Sequence, residues 1–114
     1  MPEAAALRKL ALNDEGFIES VVSMRLDDIE RSTLDPKTHA LVRLGALVGA
    51  GAPLASYQWV VELARTAGAS DDEIVDVLIA VAPAVGVARI VAAAPELSRA
   101  LGYDIDAALT EHDR

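Results

Sequence analysis

Ala64-Arg65-Thr66-Ala67-Gly68-Ala69-Ser70-Asp71-Asp72-Glu73-Ile74 closes one helix and opens another, and the fold follows from that reading. Gly68 can take the backbone conformation that ends a helix. Ser70 and Glu73 have the S-x-x-E spacing of a capping box, in which each side chain satisfies a backbone N–H of the other residue. Asp71 and Asp72 favour the positive end of the helix dipole. The pattern predicts a helix from Ser70, with Ile74, Val77, Leu78 and Val81 on its apolar face, meeting Pro83. Upstream, Pro53 starts a helix that runs to Ala67 with Gln58, Glu62 and Arg65 as its polar stripe. Before that, Asp35-Pro36 places a capping side chain ahead of a proline at the first helical position. This helix carries Leu41, Leu44 and Val48 and should stop around Gly49–Gly51.

The remaining chain reads the same way. Helices are predicted over Pro2–Leu12 and over Asp14–Arg25, the latter capped by Asn13 and striped by Phe17, Val21 and Met24, with a charged connector at Asp27–Ser32. Beyond Pro83 the chain should resume as a helix near Ala84 and run through Ile90 to Leu101, with a kink or restart at Pro95. Gly102 ends it, and Asp104–His112 forms a short acidic helix or tail. No stretch sustains a strand's alternation, so the fold class expected is all-α, a compact helical domain. It is organised as N-terminal helices over 1–33, a core over 35–102 and a tail over 103–114.

Composition narrows the function. Ten basic against 18 acidic residues leave a charge of −8, which argues against nucleic acid and anionic membrane surfaces. Alanine fills 22 positions and aromatics only 4%, so the core must be built of closely approaching helices. The uncharged run Leu44–Val61 is interrupted by Gly45, Gly49, Gly51 and Pro53, and reads as two soluble helices rather than a membrane span. With no secretory h-region near Met1, a cytoplasmic protein is expected. Two helices are apolar around most of their circumference, more than a chain this short buries by itself, and this leads us to expect a homo-oligomer.

The inventory for chemistry is thin. There is no cysteine, and neither His39 nor His112 has metal-ligand spacing, so no metal and no cofactor are expected. His39 should lie on the surface of a first helical turn. Serines lack a G-x-S-x-G setting, and the glycines match no phosphate-binding pattern. Arg43 and Arg89 stand among apolar neighbours. Each either snorkels, pairs with a carboxylate such as Glu62 or Asp76, or lines an anion pocket, and pairing is the expectation. Tyr57 and Trp59 are expected as core or interface anchors, and otherwise as pocket walls.

The run Leu34-Asp35-Pro36-Lys37-Thr38, the apolar helix to Gly49, and Ala64-x-x-x-Gly68-Ala69-Ser70-Asp71-Asp72-Glu73-Ile74 together resemble the carboxymuconolactone decarboxylase and alkylhydroperoxidase D superfamily over about Asp35–Ala94. The resemblance implies an all-α fold assembling as a homotrimer or homohexamer, with sites near subunit interfaces. It also implies a Cys-x-x-Cys-x-x-x-His signature in the peroxidase branch, whose positions fall here on Pro53, Ser56 and Val60. The decarboxylase branch resembles the peroxidases in placing a histidine at Val60, and the acidic residue of the preceding helix falls on Ala40 or Leu41. None of these positions carries the family's residue, so no catalytic residue is assigned.

The expected function is a family member without the redox cysteines, acting as a non-redox small-molecule-binding or structural oligomer. Its binding residues are Ser56, Tyr57, Val60, Arg89 and Glu62. The alternatives are a lyase or isomerase on a small carboxylated or hydrophobic metabolite, using Tyr57, Glu62, His39 or Arg89 from adjacent subunits, and an all-α adaptor for a partner helix.

Overall fold

The computed structural model describes residues 3–23 and 32–112, and over these the chain is helical with no strand. The helices are α1 (Glu3–Ala11), α2 (Glu15–Val22), α3 (Pro36–Ala50), α4 (Leu54–Thr66), α5 (Asp71–Val85), α6 (Val87–Leu101) and α7 (Ile105–His112). The expected end of the second helix at Met24–Arg25, most of the connector and the His112 side chain lie outside the described residues. The chain divides into two compact units, with the boundary after Pro36.

In the first unit α1 and α2 pack as a pair. The cap of α2 is Asp14, whose Oδ1 accepts from the Phe17 N–H at 3.0 Å, and not the expected Asn13. Asn13 instead turns the chain with a φ of 59°, a left-handed conformation that asparagine tolerates better than most residues. Lys9 Nζ sits 5.3 Å from the centre of the Phe17 ring. Leu7, Leu12 and Val22 remain largely exposed.

In the second unit the capping box forms as the spacing predicts. Ser70 Oγ accepts from the Glu73 N–H at 3.1 Å, and Glu73 Oε1 accepts from the Ser70 N–H at 3.0 Å. Gly68, with a φ of 96°, ends α4, and the Gly68 N–H donates to the Arg65 carbonyl. The contacts between α3 and α5 advance together along the two helices. Lys37 meets Glu73, Gly45 meets Val77 and Val81, and Gly49 meets Val85. The two helices are therefore parallel, with α4 returning between them in sequence. Gly45 is what permits the close approach, because a β-carbon there would stand 3.0 Å from Val81 Cγ1. The core joins Leu44 and Val48 of α3, Tyr57, Val60, Val61 and Ala64 of α4, Ile74 of α5, and Ala93, Leu97 and Leu101 of α6. Each large aliphatic side chain fully buried there contributes roughly 1.5–3 kcal/mol.

The break expected at Pro83 and the restart allowed for at Pro95 do not occur. Helix α5 passes through Pro83 to Val85, and α6 passes through Pro95 without a restart; the break falls at Gly86, whose φ is 87°. A proline inside a helix frees the carbonyl four residues earlier. Here those carbonyls belong to Ile79 and Val91, residues that are 68% and 65% exposed, so each proline sits where the freed oxygen lies on a solvent-facing stretch of helix. After Gly102 the expected short helix forms, with the Ala107 N–H donating to Asp104 Oδ1 at 3.1 Å.

Candidate functional site

The expected binding residues start on α4. Pro53 is its cap, Ser56 is half-buried in the first turn, and Tyr57 and Val60 are only 1% and 2% exposed. Tyr57 and Val60 are thus packed into the hydrophobic core. Among the described residues the Ser56 hydroxyl donates no hydrogen bond to a histidine or carboxylate, which leaves it an ordinary weakly acidic alcohol. Burial, and secondarily the Glu96 carboxylate, push the Tyr57 phenol above its usual pKa. Tyr57 therefore stays protonated at neutral pH and is not a base.

Glu62 is exposed on the polar stripe of α4, where its charge acts on Arg65. Arg89 is exposed at the start of α6, and its guanidinium lies against Gly51 at the end of α3. The expected pairing of Arg89 with Glu62 or Asp76 is absent among the described residues, and this corrects the sequence reading. The buried face of α6 is Ile90, Ala93, Leu97 and Leu101, so Val87 and Val91, which make Arg89 look buried in sequence, themselves face outward. Within one chain, then, Tyr57 lies near Glu96, Glu62 near Arg65, and Arg89 near Gly51.

Other expectations also shift. Arg43 is half-buried and has no ion pair among the described residues. Trp59 is 49% exposed, so it is not a core anchor of its own chain. His39 is half-buried rather than a plain surface residue; its Nε2 is shielded from solvent, with no hydrogen-bond partner among the described residues. No cluster of three or more His, Asp or Glu side chains there could hold a metal ion.

A concave feature that sequence reasoning missed is a groove of about 380 Å³ along the parallel pair α3 and α5. Leu41, Val42, Gly45 and Ala46 form one wall, Val77, Ala80 and Val81 the other, and Thr38 closes one end. No wall residue is ionisable. Its volume is within the range of small-molecule sites, and it is open on its outer side. Gly45 is buried at the base of the groove, where a β-carbon would meet Val81 Cγ1 at 3.0 Å, while Val42 and Ala80 are exposed on either side. No single stretch of sequence signals it, since the two walls are some 35 residues apart.

Ion pairs flank this unit. Lys37 Nζ lies 3.0 Å from Glu73 Oε2 at the start of α3 and α5. Arg65 Nε lies 3.0 Å from Asp71 Oδ1 and its Nη2 donates to the Leu101 carbonyl. Arg99 bridges Glu96 at 2.9 Å and Asp106 at 2.7 Å, tying α7 to α6. These pairs fasten helix ends and present no free charge to the groove.

A family model for the carboxymuconolactone decarboxylase family matches residues 15–98. The chain belongs to that family. No curated protein and no solved structure matched it. The carboxymuconolactone decarboxylase match starts well before Asp35, where the resemblance was expected to begin, and so includes α2 as well as the core. This family member has no cysteine anywhere in its sequence, and the position that the resemblance gives to the family histidine holds Val60, inside the core. No helix among the described residues is long and apolar enough to cross a membrane.

Proposed function

We propose that this member of the carboxymuconolactone decarboxylase family is a non-redox homo-oligomer that binds a small, uncharged apolar molecule in the groove between α3 and α5. The observation that carries the reading is the groove itself, a concave surface of about 380 Å³ whose walls hold no ionisable group. Apolar walls select ligands by shape and burial, at roughly 25 cal/mol per Å² removed from water, and offer no counter-charge to a carboxylate. Of the compounds expected from sequence, the hydrophobic class therefore fits and the carboxylated class does not. A lyase or isomerase reading would draw Tyr57, Glu62, His39 or Arg89 from adjacent subunits, and the groove's walls supply none of these groups.

A neutral, environment-sensitive dye such as N-phenyl-1-naphthylamine tests the reading. Its fluorescence should rise and saturate on titration with the protein, and Ala46→Phe, which fills the groove from α3, should abolish the rise. A parent protein that leaves the dye unchanged, or equal enhancement by Ala46→Phe, overturns it.

A further inference from the structure

The groove between α3 and α5 has a length and a direction. Along α3 its wall runs from Thr38 to Ala46, which advances about 12 Å at the helical rise. The facing wall runs from Val77 to Val81 on a parallel helix, so the depression is drawn out along the helix axes. Its two ends differ. Before Thr38 stands the Lys37–Glu73 ion pair, which crosses from α3 to α5. Past Ala46 the two helices meet at Gly49, where a β-carbon would stand 3.4 Å from Val85 Cγ1. One end is therefore polar with its charges balanced, and the other is closed by carbon.

These walls and ends discriminate among uncharged apolar ligands. No wall residue is aromatic, so a flat ring system finds nothing to stack on. A saturated chain needs no such partner, because its attraction is the sum of many small contacts along its length. The α3 wall of about 12 Å matches an extended chain of roughly nine carbons. At the polar end, the Lys37 ammonium carries several N–H donors and gives one to Glu73 Oε2 at 3.0 Å. A neutral oxygen placed there can accept from the same ammonium. A ligand carboxylate would share it with the Glu73 carboxylate, and like charges so close repel.

We infer that the groove takes an unbranched, uncharged chain of about nine carbons ending in one oxygen, a medium-chain primary alcohol in chemical class. Its hydroxyl lies beside Thr38 and Lys37, and its methyl end points toward Gly49 and Val85. Val42 and Ala80 stand exposed on the two rims and flank the chain, whose outer side stays in water. Each methylene therefore contributes less than the roughly fourfold in affinity that complete burial gives. The inference rests on the groove-binding reading above and specifies the length, shape and direction of the ligand.

Displacement of N-phenyl-1-naphthylamine by a homologous series of primary alcohols, from butanol to dodecanol, tests it. Affinity should rise about two- to threefold per carbon and level off near nine carbons, where the chain reaches Gly49. Diisobutyl carbinol, which has as many carbons as nonanol but is branched, and nonanoate should each displace the dye about tenfold less well than nonanol. Lys37→Met should weaken nonanol about threefold relative to the dye, with circular dichroism showing the parent's helical fold. A parent that leaves the dye unchanged overturns the groove reading and this inference together. Where the dye binds and Ala46→Phe abolishes its binding, the groove reading stands and the inference is tested alone. It is overturned by affinity that climbs evenly to dodecanol, by a branched isomer or nonanoate as strong as nonanol, or by Lys37→Met holding nonanol as tightly as the parent.

Discussion

The Arg89 guanidinium lies over Gly51, on the point where any other residue would carry its β-carbon. Gly51 also has a φ of 69°, so two independent requirements fall on one position. It turns the chain out of α3 in a left-handed conformation, and it leaves room for a cation beside the helix's C-terminal carbonyls, where positive charge is favourable.

Gly51→Ala should therefore cost about 1–2 kcal/mol from the backbone alone. Displacing the flexible end of Arg89 should add a smaller amount. Arg89→Met should cost no more than about 1 kcal/mol, the scale of a cation at a helix C-terminus, and not the roughly 3–5 kcal/mol that follows from breaking a buried pair. Chemical denaturation of both single mutants and the double mutant checks this, with the added cost of Gly51→Ala shrinking when Arg89 is already gone.

Glu73 joins two helices through one carboxylate, with Oε1 accepting from the Ser70 N–H and Oε2 from Lys37 Nζ, each at 3.0 Å. The bond from the Ser70 backbone first, and Lys37 second, hold its pKa below the usual glutamate range. A lowered folded-state pKa means stability that is present above the unfolded value, about 4.3, and lost as pH falls from there through the folded-state value. Glu73→Gln should flatten the acid limb of a plot of melting temperature against pH over that interval. Lys37→Met should flatten it less, because the larger cause remains in place.

The local signals in this chain were legible, and the lateral ones were not. Ser70 with Glu73, Pro36, and the glycines at 51, 68 and 102 act within one turn of helix, and each appears where its spacing placed it. Which face of α6 is buried depends on α4 and α5, and an alanine and valine sequence is apolar on every face. That is why Arg89 read as interior. Pro83 reads as a break and Pro95 as a kink or restart because sequence alone does not show that Ile79 and Val91, whose carbonyls they free, are exposed. Counting back from Gly68 located Ser56 and Val60 on α4, but whether they open onto a cavity depends on what covers α4, and there Val60 meets the core.

Gly45 tests the close approach beneath the groove. Alanine at an interior helix position gains about 1 kcal/mol over glycine, but a β-carbon 3.0 Å from Val81 Cγ1 and 3.7 Å from Val77 Cγ1 overpacks the contact, at a cost of typically 1–3 kcal/mol. The net effect of Gly45→Ala should be a loss of about 1 kcal/mol, measured by thermal melts. Val81→Ala should cost less in the Gly45→Ala background than in the parent, since it removes the methyl group that clashes. Equal costs in both backgrounds would mean that the two helices separate instead of Val81 yielding.

Ser56 stands where the resemblance places the second cysteine of the peroxidase signature, and it offers a direct test of that position. The parent should show no dithiol-dependent hydroperoxide turnover in metal-free buffer, because a chain without cysteine has no thiolate to attack the peroxide bond. Ser56→Cys would place a half-buried thiol in the first turn of α4, where unpaired backbone N–H groups and the positive end of the helix dipole stabilise an anion. Its pKa should fall below the value of about 8.5 for a free cysteine, read from the pH dependence of alkylation by iodoacetamide. Turnover with peroxide should still be absent or very slow, since Pro53 provides no resolving thiol and Val60 no base. A thiol pKa at or above about 8.5 would show that burial at Ser56 outweighs the helix terminus. Rapid dithiol-dependent turnover would show that α4 retains more of a peroxidase site than Val60 and Pro53 imply.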